Sequence, residues 1–164
     1  MNQLPDFWRT EIWHPLSVHL PLVLLLVGTI FLSTGIVAKR KFWLHSGYVL
    51  IILGAVGAWM AVFTGNMADG VVSREICDPT VLKSHENGGK IVAWLFTVAS
   101  GLILLDYFKS LQRFRTTLLI VLMAVVLTGS GFLLYTGHRG AQLVYQQAAG
   151  VYTPSDDCLE FVED

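Results

Sequence analysis

Residues 16–38 read Leu-Ser-Val-His-Leu-Pro-Leu-Val-Leu-Leu-Leu-Val-Gly-Thr-Ile-Phe-Leu-Ser-Thr-Gly-Ile-Val-Ala, a run of 23 positions without a single charge. About 20 apolar residues at 1.5 Å each cross a hydrocarbon core of roughly 30 Å, so this stretch is long enough to span a membrane as a helix. Three more runs of the same kind follow, Phe42–Gly65, Ile91–Phe108 and Thr116–Gly137. Asp78-Pro79 reads as an N-cap followed by the first helical position, so the third helix is expected from Pro79, standing about four turns clear of the apolar zone. The reading is therefore an all-α, four-helix transmembrane bundle running up-down-up-down, with spans near 16–38, 42–65, 79–108 and 116–137. Residues 138–164 form an outer tail, and residues 1–164 make one integral membrane domain. Composition agrees: the chain of 164 residues is 54% hydrophobic and 14% charged, well below the roughly 25% charged residues of soluble domains. Its mean hydropathy is +0.59. The N-terminus has no basic segment and no small-residue cleavage site follows the first run, so that run is expected to stay as a span.

The basic residues orient the bundle. Lys39, Arg40, Lys41, Lys109, Arg113 and Arg115, six of the eleven, sit in the two short connections at one end. Eleven of the twelve acids lie at the other end, Asp106 being the exception. Compact basic loops stay in the cytoplasm. Both termini and the 66–90 connection are thus expected outside, which in a bacterium means an inner-membrane protein facing the periplasm. Cys77 and Cys158 both fall on that outer side, where a disulfide between them is chemically permitted; two free thiols are the alternative.

The histidines carry the chemistry. Measured along each helix from the centre of its apolar run, His19 lies roughly 3 Å inside the outer boundary and His138 roughly 2 Å outside it. His14 and His85 lie roughly 4–5 Å outside. Four imidazoles from three segments share one layer, whereas His45 lies at the inner end. Imidazole is the commonest protein ligand of haem iron and of many transition metals. Helices 1 and 3 are diagonal in such a bundle, so His19 and His85 are the expected axial pair across a porphyrin. His14 and His138 are then a second pair or hydrogen-bonding partners. Anchoring at lipid headgroups is the plain alternative for any one of them. No ionisable residue lies near a midplane, which argues against a proton pump or an ion-coupled transporter. Pro15 is expected at the first helical position. The small-residue stripe Gly47, Gly54, Gly57, Ala61, Gly65 and the run Thr128-Gly129-Ser130-Gly131 are read as helix-packing surfaces.

Two boxes are distinctive: His14-Pro15-Leu16-Ser17-Val18-His19-Leu20-Pro21, and Thr136-Gly137-His138-Arg139-Gly140 followed by Leu143-Val144-Tyr145. With them the chain resembles a bacterial four-span membrane family termed domain of unknown function 2231, over nearly its whole length. The family reads HPxxVHxP at its N-terminus, opens its third span with a histidine and reads TGHxGxxLVY after the fourth. The resemblance implies a layout similar to small b-type cytochromes, with relatives fused to cytochrome c-like domains, and hence periplasmic redox work. The chain departs from the family at Gly140-Ala141, where members often read GG, and at Gly150-Val151-Tyr152-Thr153, where they often read GVGV.

Three functions compete. The leading one is a b-type cytochrome holding one or two haem b groups and passing electrons between quinol, or a quinol-linked membrane complex, and a periplasmic cytochrome c. The second is a non-haem copper, iron or zinc site, with Glu86 or Asp69 as extra ligands. The third is a structural subunit of a larger respiratory complex. The lipid bilayer is a partner in all three, nucleic acid in none, and no catalytic residue is assigned.

Overall fold

The computed structural model describes residues 9–151. Four helices follow one another: α1 (Thr10–Val37), α2 (Lys41–Val72), α3 (Pro79–Tyr107) and α4 (Arg115–Gln147), with a single 3₁₀ turn at Gln112–Phe114 before α4. All four are long and apolar enough to cross a membrane. They pack as two helical hairpins, α1–α2 and α3–α4, joined mainly through α2 and α3 and less through α1 and α4.

The helices outrun their apolar stretches at one end. α1 starts at Thr10 rather than Leu16, α2 continues to Val72, and α4 carries the expected tail residues from 138 on as helix to Gln147. At 1.5 Å per residue, the 32 residues of α2 reach about 48 Å, so the bundle projects well past a hydrocarbon core of roughly 30 Å. Pro15 is accordingly inside α1 rather than at its start. One proline removes a single rung of the hydrogen-bond ladder, and the turns around it keep their own.

A buried spine of Leu25, Leu32, Ile51, Phe96, Ala99, Leu122 and Val126 fills the bundle. Large apolar side chains such as Ile30, Phe63, Trp94, Ile120 and Leu134 face outward, the surface that lipid covers. α1 and α2 approach most closely through glycine: a Cβ at Gly47 would stand 2.6 Å from the backbone nitrogen of Leu32. On the other seam, the Thr29 and Ser130 hydroxyls meet at 3.0 Å and tie α1 to α4.

Local chemistry sets the ends. The Asp78 carboxylate accepts from the Thr80 backbone N–H at 2.9 Å and from the Thr80 hydroxyl at 2.6 Å, the expected cap of α3. The Asp78 N–H in turn donates to Gln147 of α4 at 2.9 Å. The two turns at the basic end are built alike. Lys39 (φ 53°) follows α1 and Lys109 (φ 57°) follows α3, each left-handed. The next N–H, of Arg40 or Ser110, closes back onto the carbonyl of Gly35 or Leu105, which is a Schellman stop.

Candidate functional site

His14 rises from the first turns of α1 and His85 from those of α3. Their rings meet on the bundle diagonal, with centroids 5.8 Å apart and planes at 81°. Each is held by the other helix of its own hairpin. His14 Nδ1 donates to the carbonyl of Ala61 on α2 at 3.0 Å. His85 Nδ1 donates to the carbonyl of Thr136 on α4 at 2.9 Å. One turn beyond each carbonyl stands a glycine under the ring. A Cβ at Gly65 would lie 3.1 Å from His14 Cε1, and one at Gly140 would lie 3.0 Å from His85 Cε1. The two hairpins thus repeat one device: a carbonyl at position i takes the Nδ1 proton, and a glycine at i+4 seats the imidazole.

This device decides what the rings can do. A carbonyl oxygen only accepts, so each Nδ1 carries the proton and each Nε2 keeps its lone pair. Histidines that bind metals are oriented by the same bond from their second nitrogen. Metal–nitrogen bonds near 2 Å, plus about 1 Å from each nitrogen to its ring centre, put two axial imidazoles about 6 Å apart. The observed 5.8 Å fits that span.

The rings open onto a cleft of about 390 Å³ between the projecting helix ends, within the usual size of ligand sites. Its wall is mainly apolar, with Val18, Leu22, Leu25, Val62, Leu133 and Val144, and Gly89 and Gly137 flatten it further. One polar atom in that wall is orphaned: the buried Thr136 hydroxyl oxygen has no hydrogen-bond partner. Gly88 crowds it so closely that a Cβ there would fall 2.4 Å away.

His19 lines the same cleft, but it is exposed and its Nδ1 bonds to the carbonyl of Pro15 in its own helix at 2.6 Å. The ring that meets His85 is therefore that of His14, and His19 stands in the wall of the same cleft. His138 is exposed and does not line the cleft. Its neighbour Arg139 instead lies over the Tyr135 ring, 5.2 Å from its centre, and donates to the Tyr135 hydroxyl at 3.1 Å. Of the acids considered as extra ligands, both Asp69 and Glu86 line the cleft, and Glu86 is held between Lys83 and Lys90. Among the described residues, no three His, Cys, Asp or Glu side chains converge as a metal site. Cys77 is exposed in the α2–α3 turn, and Cys158 lies outside the described residues.

The opposite end is built differently. Asp106 is buried, accepts from the Tyr48 hydroxyl at 2.7 Å, and takes Arg115 Nε at 2.8 Å and Nη2 at 3.2 Å. His45 sits nearby, 6.0 Å from the Tyr48 ring and 6.4 Å from the Tyr107 ring, centre to centre.

The family described as "Predicted membrane protein (DUF2231)" matches residues 12–153. The chain belongs to this family. The matched segment takes in all four crossings and both histidines of the diagonal pair. No curated protein and no solved structure matches the chain. Within the family's second box, Thr136-Gly137-His138-Arg139-Gly140, sequence reasoning fixed on His138, while Thr136 and Gly140 are the residues that hold His85. Gly65 and Ala61 were hidden in the same way inside a stripe assigned to helix packing. Their clue was spacing: carbonyl and glycine stand four apart in both places.

Proposed function

We propose that this member of the family is a small membrane b-type cytochrome, holding one haem between His14 and His85 and relaying electrons between a quinol-linked membrane partner and a carrier in the periplasm. The observation that carries the reading is the matched seating of two imidazoles 5.8 Å apart, each with Nδ1 spent on a carbonyl. His14 and His85 would hold the iron, with their Nδ1 bonds to Ala61 and Thr136 keeping each tautomer fixed. Gly65 and Gly140 would hold the ring planes, and the apolar wall would keep water from the iron. Bound haem would supply a one-electron centre. Two converging imidazoles favour a porphyrin over a bare ion, because the macrocycle brings four donors of its own and the described residues bring no third ligand.

The compact basic turns support a reading in which the paired histidines face the periplasm from a bacterial inner membrane. An impermeant thiol reagent on intact cells tests that orientation, since Cys77 should react from outside and not only after lysis. The absorption spectrum of the purified protein tests the cofactor. Sharp visible bands of low-spin haem on reduction are expected; metal without porphyrin, or neither even after haem supplementation, sinks the reading.

A further inference from the structure

A second cleft, of about 350 Å³, lies at the other end of the bundle, where the α1–α2 turn meets the start of α4. Lys39, Arg40, Lys41 and Arg115 stand around it, over a floor of Ile36 and Leu119. Arg115 is neutralised by Asp106. The other three cations make no ion pair among the described residues. Three unpaired positive charges held in one short turn repel each other, and an anion between them relieves that.

The turn is rigid as well as charged. A Cβ at Gly35 would stand 2.4 Å from the Leu44 backbone nitrogen, so the helices are clamped where the cleft begins. Lys39 occupies a left-handed position that glycine fills more easily, so its charge is kept at a conformational cost. The first N–H groups of α2 have no side-chain cap and add their partial positive charge to the same place.

We infer that this cleft binds the phosphate of an anionic phospholipid. A lipid fits better than free phosphate because the floor is apolar and the exposed residues Phe42 and Phe114 adjoin Lys41 and Arg115 in the chain, a composition typical of the membrane interface. Basic pockets between helices on the cytoplasmic side suit such headgroups. The inference stands whether or not haem binds at the other end.

The test uses full-length protein in neutral detergent, titrated with phosphatidylglycerol or with phosphatidylcholine of the same acyl chains, bound lipid being counted by native mass spectrometry. Phosphatidylglycerol should bind preferentially. Removing each charge should weaken it about fivefold, so Lys39→Gln with Lys41→Gln should cost roughly 25-fold, while Arg74→Gln at the far end should change nothing. Lys39→Gly guards against misfolding: it relaxes the left-handed position, so it should raise the melting temperature while still weakening the lipid about fivefold. Equal binding of the two lipids, or full binding by the double variant, would overturn the inference. Displacement of phosphatidylglycerol by millimolar inorganic phosphate would overturn the lipid assignment in favour of a free-phosphate site.

Discussion

The two ends of the bundle treat their polar groups in opposite ways. At the end with the basic turns, Asp106 places both carboxylate oxygens on partners, Tyr48 and Arg115 for one and Arg115 for the other. At the opposite end, His14 and His85 each bond through one nitrogen, and both rings line an open cleft. A closed network holds helices together. A nitrogen lone pair left free beside a cavity is available to a ligand. The contrast separates a clamp from a site within one fold.

Substitutions can break that contrast. The largest effect is expected at the diagonal pair: His14→Ala or His85→Ala should abolish the haem bands, read by absorption of the reduced protein, whereas His45→Ala should leave them intact. His19→Ala should retain the bands, because its ring is tied within α1. Bands lost with His19→Ala and kept with His14→Ala would reverse the ligand assignment.

Asp106→Ala should do the converse. Arg115 is part-exposed and can turn to water, so the cost comes mainly from the stranded, buried Tyr48 hydroxyl, about 1–3 kcal/mol in denaturant titrations, with haem per folded molecule unchanged. A loss of haem at constant stability would show that the two ends are not independent.

Gly65→Ala and Gly140→Ala sharpen the comparison. Each new methyl would press on an imidazole carbon at 3.1 or 3.0 Å, so the ring must shift. Cofactor affinity should fall about tenfold, as for other groups that orient metal ligands. Titration of apoprotein with haem reads it.

The smallest effect is at Asp78. The hydroxyl and the backbone N–H of Thr80 hold its carboxyl below the usual carboxylate range. A depressed folded value contributes stability above the unfolded value, roughly 3.9, and loses it as pH falls through the folded one. The first turn of α3, close to His85, should therefore fray in acid. Hydrogen exchange of residues 80–84 should show it, and Asp78→Ala should fray already at neutral pH.

Depth was legible in the sequence and azimuth was not. Hydropathy is additive along a chain, so four crossings and the start of α3 at Pro79 could be read directly. The same ruler led to the expectation of four imidazoles in one layer, of which the structure brings the rings of His14 and His85 together. Which histidine faces inward depends on helix rotation. His14 and His19 are five residues apart, about 140° around the axis, so they cannot both face His85. That choice is made by glycine contacts between α1 and α2, which leave no periodic signal of their own. Asp106 and Arg115 were legible only as loop charges, because their pairing across the α3–α4 turn is a tertiary fact.

The seating of each imidazole within its own hairpin has a consequence for biogenesis. His14 is parked on α2 and His85 on α4, so each half of the pair is complete as soon as its hairpin has left the ribosome and entered the bilayer. The first hairpin can wait, folded, while the second is still being translated. The pair itself comes into being only when the two hairpins dock, so a ligand that needs both rings can bind only the assembled bundle.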